Sequence, residues 1–342
     1  MLPLIHFLRG LASVMVLFFH VANHIENKCG NKKLANFFEF GDSGVQFFFV
    51  LSGFIIFYTT SKNHGNTELI GDYFKKRFLR IYIPYWIIVF ALFFAYQLFS
   101  DLGEARHRDI IYMLKSLTLL PNEEGQFLGI AWTLAYEVIF YTIFGIAFIR
   151  SKFLYIAVSL LLLMGFSRVL GIEYQFWSNP NWLLFVLGIF AAIVIKNYDL
   201  SRFYRPILLI GFIFYAVTAY LHVGVAKSSF IPEYDISVIS YGIASFIIII
   251  GASYSKLRIG KVFGDLSYGL YLVHIPVIAA VTSLTTKIGI NLFVNPLFAF
   301  FVLSICSFIV AYVFSYYLEL PLVKVLQKCT LKKFSHRSDS GV

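Results

Sequence analysis

The sequence is poor in charge. Asp, Glu, Lys and Arg together make up 13% of it, about half the share usual in soluble domains. A chain this short of charge cannot keep a globular surface solvated, which argues against a soluble enzyme or a nucleic-acid-binding domain. Cysteine is scarce too. Cys29, Cys306 and Cys329 lie far apart and no C-x-x-C occurs, so neither a disulfide framework nor a thiolate metal site is expected. The phosphate loop G-x-x-x-x-G-K-[ST] is absent, as is the G-x-S-x-G elbow, since Leu51-Ser52-Gly53-Phe54 has no leading glycine. His20 and His24 are four apart, but no glutamate completes a zinc-protease motif around them, and no metal is expected. No repeat at the half-chain period is visible, which counts against the inverted-repeat transporters. No small-residue cleavage site follows the first apolar stretch, which therefore reads as a retained span.

What the chain does have is apolar surface. Its residues are 59% hydrophobic and 19% aromatic, with a mean hydropathy of +0.78. Hydrophobic stretches of spanning length fall at 4–22, 44–60, 81–99, 130–149, 153–170, 181–196, 204–222, 236–253, 266–286 and 297–318. The expected fold is therefore an all-α, polytopic transmembrane helix bundle of about ten spans. The stretch 181–196 is the shortest, although Asn179-Pro180-Asn181 reads well as its start. With the N-terminus cytoplasmic, the inner loops carry about twice as many basic residues as the outer ones, as the positive-inside rule requires. Ten spans then put both termini in the cytoplasm. The outer segments 23–43 and 100–129 are too short to form a soluble domain. Residues 1–322 read as one membrane-embedded unit and 323–342 as a basic cytoplasmic tail without fixed structure. The formal charge of +10 is read as loops meeting anionic lipid headgroups of the bilayer, not as a nucleic-acid surface.

Against this background the intramembrane polar groups stand out. Arg9 and His20 are eleven residues apart in the first span, almost three helical turns, so both lie on one face about 16 Å apart along the axis. Glu137 lies about seven residues into the fourth span and His274 near the middle of the ninth. Ionisable groups inside spans are costly and mark sites. A lone carboxylate needs a cationic partner, and at a comparable depth His20 is the expected partner of Glu137. At the inner mouth of the third span, Lys75-Lys76-Arg77-Phe-Leu-Arg80 presents two guanidinium forks on one face, suited either to topology or to phosphates.

Taken in order, these segments resemble the integral-membrane acyltransferases of family three, which O-acylate surface polysaccharides and related glycans. The resemblance runs from about Leu4 to Leu322. It rests on Leu8-Arg9-Gly10-Leu11-Ala12 followed by His20, on Gly41-Asp-Ser-Gly44-Val45-Gln46 through Ser52-Gly53-Phe54, and on the basic stretch Arg77–Tyr85. Trp132-Thr-Leu-Ala-Tyr136-Glu137, Leu266-Ser267-Tyr268 through His274-Ile-Pro276, and Tyr317-Leu-Glu319-Leu-Pro321 complete it. Many members carry Asp where this chain has Gln46, and an acidic residue where it has Tyr136. The chain resembles the stand-alone form, without a fused extracytoplasmic domain.

The resemblance implies an O-acyltransferase of the bacterial inner membrane. The donor is then cytosolic acyl-CoA, most simply acetyl-CoA, acting as co-substrate with no bound cofactor. The acceptor is a hydroxyl of a cell-surface or lipid-linked glycan such as O-antigen or exopolysaccharide. On this reading His20 is the general base and Glu137 orients it. Arg9, Arg77 and Arg80 hold the donor's phosphates, and Trp132, Tyr136 and His274 contact substrate. The competing expectation is a multi-span transporter of a polysaccharide precursor or small solute, which also buries ionisable groups. The oligomeric state stays open.

Overall fold

The computed structural model describes residues 2–99, 103–172, 174, 176–224 and 233–328. Among these residues there is no strand, and nine helices are long and apolar enough to cross a membrane. A tenth, Asn181–Asn197, is apolar but shorter; its 17 residues still span about 26 Å. The all-α polytopic bundle is thus the observed fold. Residues 329–342, given above to the tail, lie outside the described residues.

Helix ends are set by local chemistry. Helix α1 runs Pro3–Cys29, with Pro3 in its first turn and Gly30 closing it at φ 74°, the left-handed geometry that suits glycine. Asn31 then caps the short helix α2, Lys32–Phe38, by accepting the Leu34 N–H at 3.1 Å. A 3₁₀ turn, Glu39–Ser43, leads into α3, Gly44–Thr60. The first span is therefore longer than 4–22, and the second extends back to Lys32. Most of 23–43 is thus helix within these two spans.

The remaining helices are α4 Ile70–Leu98, α5 Ile110–Leu117, α6 Trp132–Gly145, α7 Phe153–Phe166, α8 Asn181–Asn197, α9 Tyr204–Gly224, α10 Glu233–Ser253, α11 Lys261–Lys287 and α12 Pro296–Val313. After α12 a π-helical turn, Phe314–Glu319, carries the chain into further helix up to Lys328. The expected boundary between membrane unit and tail at 322 falls inside this helix. Helices α7 and α9 expose most of their apolar surface, whereas the spans containing α3 and α6 are largely buried. The former belong to the lipid-facing rim and the latter to the centre.

Two close helix pairs organise that centre, and both rest on glycine, as is usual where helices associate in lipid. A Cβ on Gly10 would come within 2.5 Å of the Phe263 backbone, and one on Gly264 within 2.4 Å of the His6 ring. These glycines let α1 and α11 run side by side. The pair is parallel: His6 meets Asp265 at 2.9 Å, and His24 meets Thr282 at 2.9 Å. Likewise α3 and α8 meet at Gly53 and Gly188, where a Cβ would sit 2.1 Å from Phe185 O and 2.0 Å from Val50 O.

Helix α6 sets the depth of the site. It is antiparallel to α4: Tyr73 packs on Phe148, just past the end of α6, at 4.7 Å, while Arg77 lies over Tyr141 at 5.6 Å, and Gly145 sits against the Phe74 ring. Its 14 residues rise only about 21 Å. It therefore starts level with Trp86 of α4, which continues about 18 Å further. The space beyond is filled by Glu104–Leu128, including α5. On α4, Tyr82, Tyr85 and Trp86 share one face and donate to the last carbonyls around α5: Thr118 at 2.9 Å, Ser116 at 3.0 Å and Leu117 at 2.9 Å.

Candidate active site

Three cavities follow one another through the bundle. The basal one, of about 350 Å³, is lined by Arg9, Lys75, Lys76, Arg77 and Arg80 together with Asp72, Asp265 and Glu319. The middle one is narrow, about 80 Å³, and shares Arg9, Arg77, Arg80 and Tyr268 with the basal cavity. It adds Ser52, Glu137, Tyr141, Thr133 and Tyr271, set in an apolar wall of α3 and α6. The distal one, of about 260 Å³, shares Val45 and Tyr271 with the middle cavity and is lined by His20, Asp42, Gln46 and Trp132.

The guanidiniums at the basal end keep unsatisfied donors. Arg9 donates from Nη2 to the Gly264 carbonyl, a contact that the glycine crossing of α1 and α11 permits. Its Nε is buried and makes no hydrogen bond, and neither does Nε of Arg77. Arg77 lies over the Tyr73 and Tyr141 rings, at 5.9 and 5.6 Å. Arg9, Arg77 and Arg80 form no ion pair within 4 Å among the described residues. Buried guanidinium nitrogens without acceptors are costly unless a ligand satisfies them.

Glu137 is not where its distance into the span suggested. Because α6 begins well short of the end of α4, residue 137 lies toward the basal end, in the arginine-lined cavity. Its carboxylate accepts from Ser52 Oγ at 2.9 Å and from the Tyr141 hydroxyl, and Ser52 lies 3.1 Å from that hydroxyl. No hydrogen bond joins it to His20, and the two line different cavities. The expected Glu137–His20 pair is thus not formed.

The neighbour of His20 is His274 instead. The two rings are 5.2 Å apart between centroids, inclined at 37°. His274 is fully buried, its Nδ1 donates to Leu270 O at 3.0 Å, and its Nε2 has no partner. One turn toward the basal end, the Tyr271 and Thr133 hydroxyls lie 2.7 Å apart, each also within hydrogen-bond distance of Ile130 O, so one donates to that carbonyl and the other to its neighbour. Trp132 lines the distal cavity and is 39% exposed. Tyr136, expected to touch substrate, is buried. It donates to Phe176 O at 2.9 Å and packs on Phe49 and Trp182, which makes it a tether between α6 and the segment before α8.

Several site residues were missed from sequence. The sequence marks Ser52 only as a nucleophile elbow that lacks its leading glycine, while Tyr141, four residues from Glu137, shares its helix face. Tyr271 and Asp42 lay inside quoted blocks without a role. Glu319, buried on the π turn and bonded by Ser315 at 2.9 Å, also lines the basal cavity. Turns of this kind recur at functional sites.

A family model describing an acyltransferase domain, family three, matches residues 3–316 of the chain. No curated protein and no solved structure matches it.

Proposed function

The chain belongs to this family of membrane acyltransferases, and from that premise we propose that it carries an acetyl group from cytosolic acetyl-CoA to a hydroxyl of a cell-surface glycan, across a bacterial cytoplasmic membrane. The observation that carries this reading is the run of three cavities, cationic at one end and ending on an imidazole at the other. In this reading the basal end, lined by Arg9 near the start of α1 and by Val323 and Gln327 of the last described helix, faces the cytosol, where an excess of basic residues belongs.

In this reading the donor's phosphates lie on Arg9, Arg77 and Arg80, with Lys75 and Lys76 at the rim. The guanidinium forks supply the acceptor-seeking N–H groups. The extended arm of the donor threads the narrow middle cavity, and its thioester reaches the level of Tyr271. The acceptor hydroxyl enters from the distal side. His20 takes its proton as the oxygen attacks the thioester carbonyl. The new C–O bond forms, the C–S bond breaks, and the proton passes from the imidazolium to the departing thiolate. Tyr271, common to the middle and distal cavities, serves the developing oxyanion in this scheme by turning its hydroxyl proton away from Ile130 O. Glu137 serves the basal end in this scheme, balancing the guanidiniums and anchoring Ser52 and Tyr141.

Mass spectrometry of surface glycans from cells with and without the gene tests the product. Reconstituted protein with labelled acetyl-CoA tests the chemistry. His20→Ala is expected to abolish acylation with membrane insertion intact, and Arg77→Ala to raise the donor KM about tenfold or more. A transporter would instead move its solute without any acyl donor and leave no modified product. Near-normal acylation by the His20→Ala protein would falsify the mechanism.

A further inference from the structure

The distal cavity differs from the basal one in the sign of its charge. The basal cavity has five cationic side chains. The distal cavity has no lysine or arginine among its lining residues and one carboxylate, Asp42. Asp42 sits on the 3₁₀ turn Glu39–Ser43, which is pressed onto α1 by two glycines. A Cβ on Gly41 would come within 2.5 Å of Met15 O, and one on Gly44 within 2.4 Å of Ala12 O. This close approach brings the turn to the cavity that His20 also lines. Asp42 Oδ1 is buried and makes no hydrogen bond with the protein. Gln46, one turn further, directs its NH₂ to the carbonyls of Asp42 and Ser43 at 3.2 Å each. The same cavity is also lined by the partly exposed indole of Trp132.

We infer that the distal cavity is the acceptor subsite for a neutral sugar, with Asp42 accepting a ring hydroxyl and Trp132 supporting the sugar's apolar face. The inference rests on the acyltransferase reading above and gives its acceptor a chemical class. A carboxylate with an unsatisfied oxygen calls for a donor, and sugar hydroxyls are the donors a glycan offers. A partly exposed indole offers a flat apolar platform with a polar edge. The same carboxylate excludes uronates and phosphorylated sugars. A second anion beside it would be opposed by like charge in a poorly screened cavity with no lysine or arginine in its lining. A neutral hydroxyl held between Asp42 and Trp132 lies in the cavity of His20, where its neighbour on the ring can lose its proton.

The test uses the full chain in lipid nanodiscs and two acceptors that differ only in charge, a methyl hexopyranoside and the matching methyl hexuronoside. Binding is read from tryptophan fluorescence, with Trp132→Phe identifying the contribution of Trp132. Transfer is read with labelled acetyl-CoA. The neutral glycoside is expected to quench Trp132 and to be acetylated, and the uronoside to do both about tenfold less well or worse. Asp42→Asn is expected to raise the KM for the neutral glycoside about tenfold, to narrow the discrimination against the uronoside, and to leave the donor KM unchanged. A lost fold would move the donor KM as well, and Asp42→Glu should restore part of the acceptor affinity. Equal or better use of the uronoside overturns the inference while leaving acyl transfer standing. Binding of the neutral glycoside without its acetylation keeps the subsite and removes the glycan-acyltransferase reading. Absence of binding by either sugar, or an Asp42→Asn protein with unchanged acceptor KM and discrimination, overturns the inference.

Discussion

Glu137 accepts from two hydroxyls, Ser52 and Tyr141, and shares its cavity with three guanidiniums. That environment assigns it to the cations at the basal end and not to His20. Glu137→Gln keeps an oxygen for the two hydroxyls but removes the negative charge. If the carboxylate acts on the arginines, the potential felt by the donor's phosphates rises, the donor KM falls severalfold, and kcat stays within about threefold. If it acted on the proton transfer, kcat would fall by about 10²–10⁴. Steady-state kinetics against acetyl-CoA separates the two, and the first outcome is expected. The arginines and His20 were legible in the sequence because an ionisable group in an apolar stretch is conspicuous by itself. The partners were not. Ser52, Thr133 and Tyr271 are ordinary residues of membrane helices, and only packing shows which of them share a hydrogen bond.

Helices reach the site through backbone proximity, so the element scale is where glycine matters. Gly10 touches the Phe263 backbone and lets Arg9 reach Gly264 O. Gly10→Val is expected to push α1 and α11 apart, to lower stability by about 1–3 kcal/mol, and to raise the donor KM by releasing Arg9. Gly71, at the start of α4, would meet nothing within 4 Å of an added Cβ, so Gly71→Ala should be neutral or stabilise by about 0.5–1 kcal/mol. Thermal melts in detergent and donor kinetics read both variants. At this scale the ten hydrophobic stretches were correctly placed, because length and composition alone decide whether a helix suits a bilayer. Their ends were placed less well. Helices α1 and α4 run on through interfacial polar and basic residues that hydropathy discounts, since such side chains can keep their heads in water while their stems stay apolar. The late start of α6 was invisible for a different reason. Depth is set by what α6 packs against, and the hydrogen bonds from Tyr82, Tyr85 and Trp86 that seat α5 over it link positions some thirty residues apart.

At the scale of the whole molecule, function depends on which end of the cavity series faces the cytosol. If the donor is acetyl-CoA, a charged cytosolic molecule, as proposed, the arginine-lined end must open to the cytosol and the His20 end to the other side. Helix α1 ties the two ends together: Arg9 lies near its start, His20 two-thirds along it, and Cys29 at its last residue. Cys29 is exposed, whereas Cys306 is half-buried within α12. A natural reporter of orientation therefore stands at the distal end. In a Cys306→Ser, Cys329→Ser background, with the remaining thiol on Cys29, a membrane-impermeant maleimide added to intact spheroplasts should label the protein. The same reagent enclosed on the cytosolic side of sealed vesicles should not. Cys306 lines none of the three cavities, and acylation measured on the same preparation shows that the labelled protein is the working one. Labelling only from the cytosolic side would put Arg9, Arg77 and Arg80 on the face away from the donor. The direction of transfer proposed above could not then hold, however the individual residues behaved.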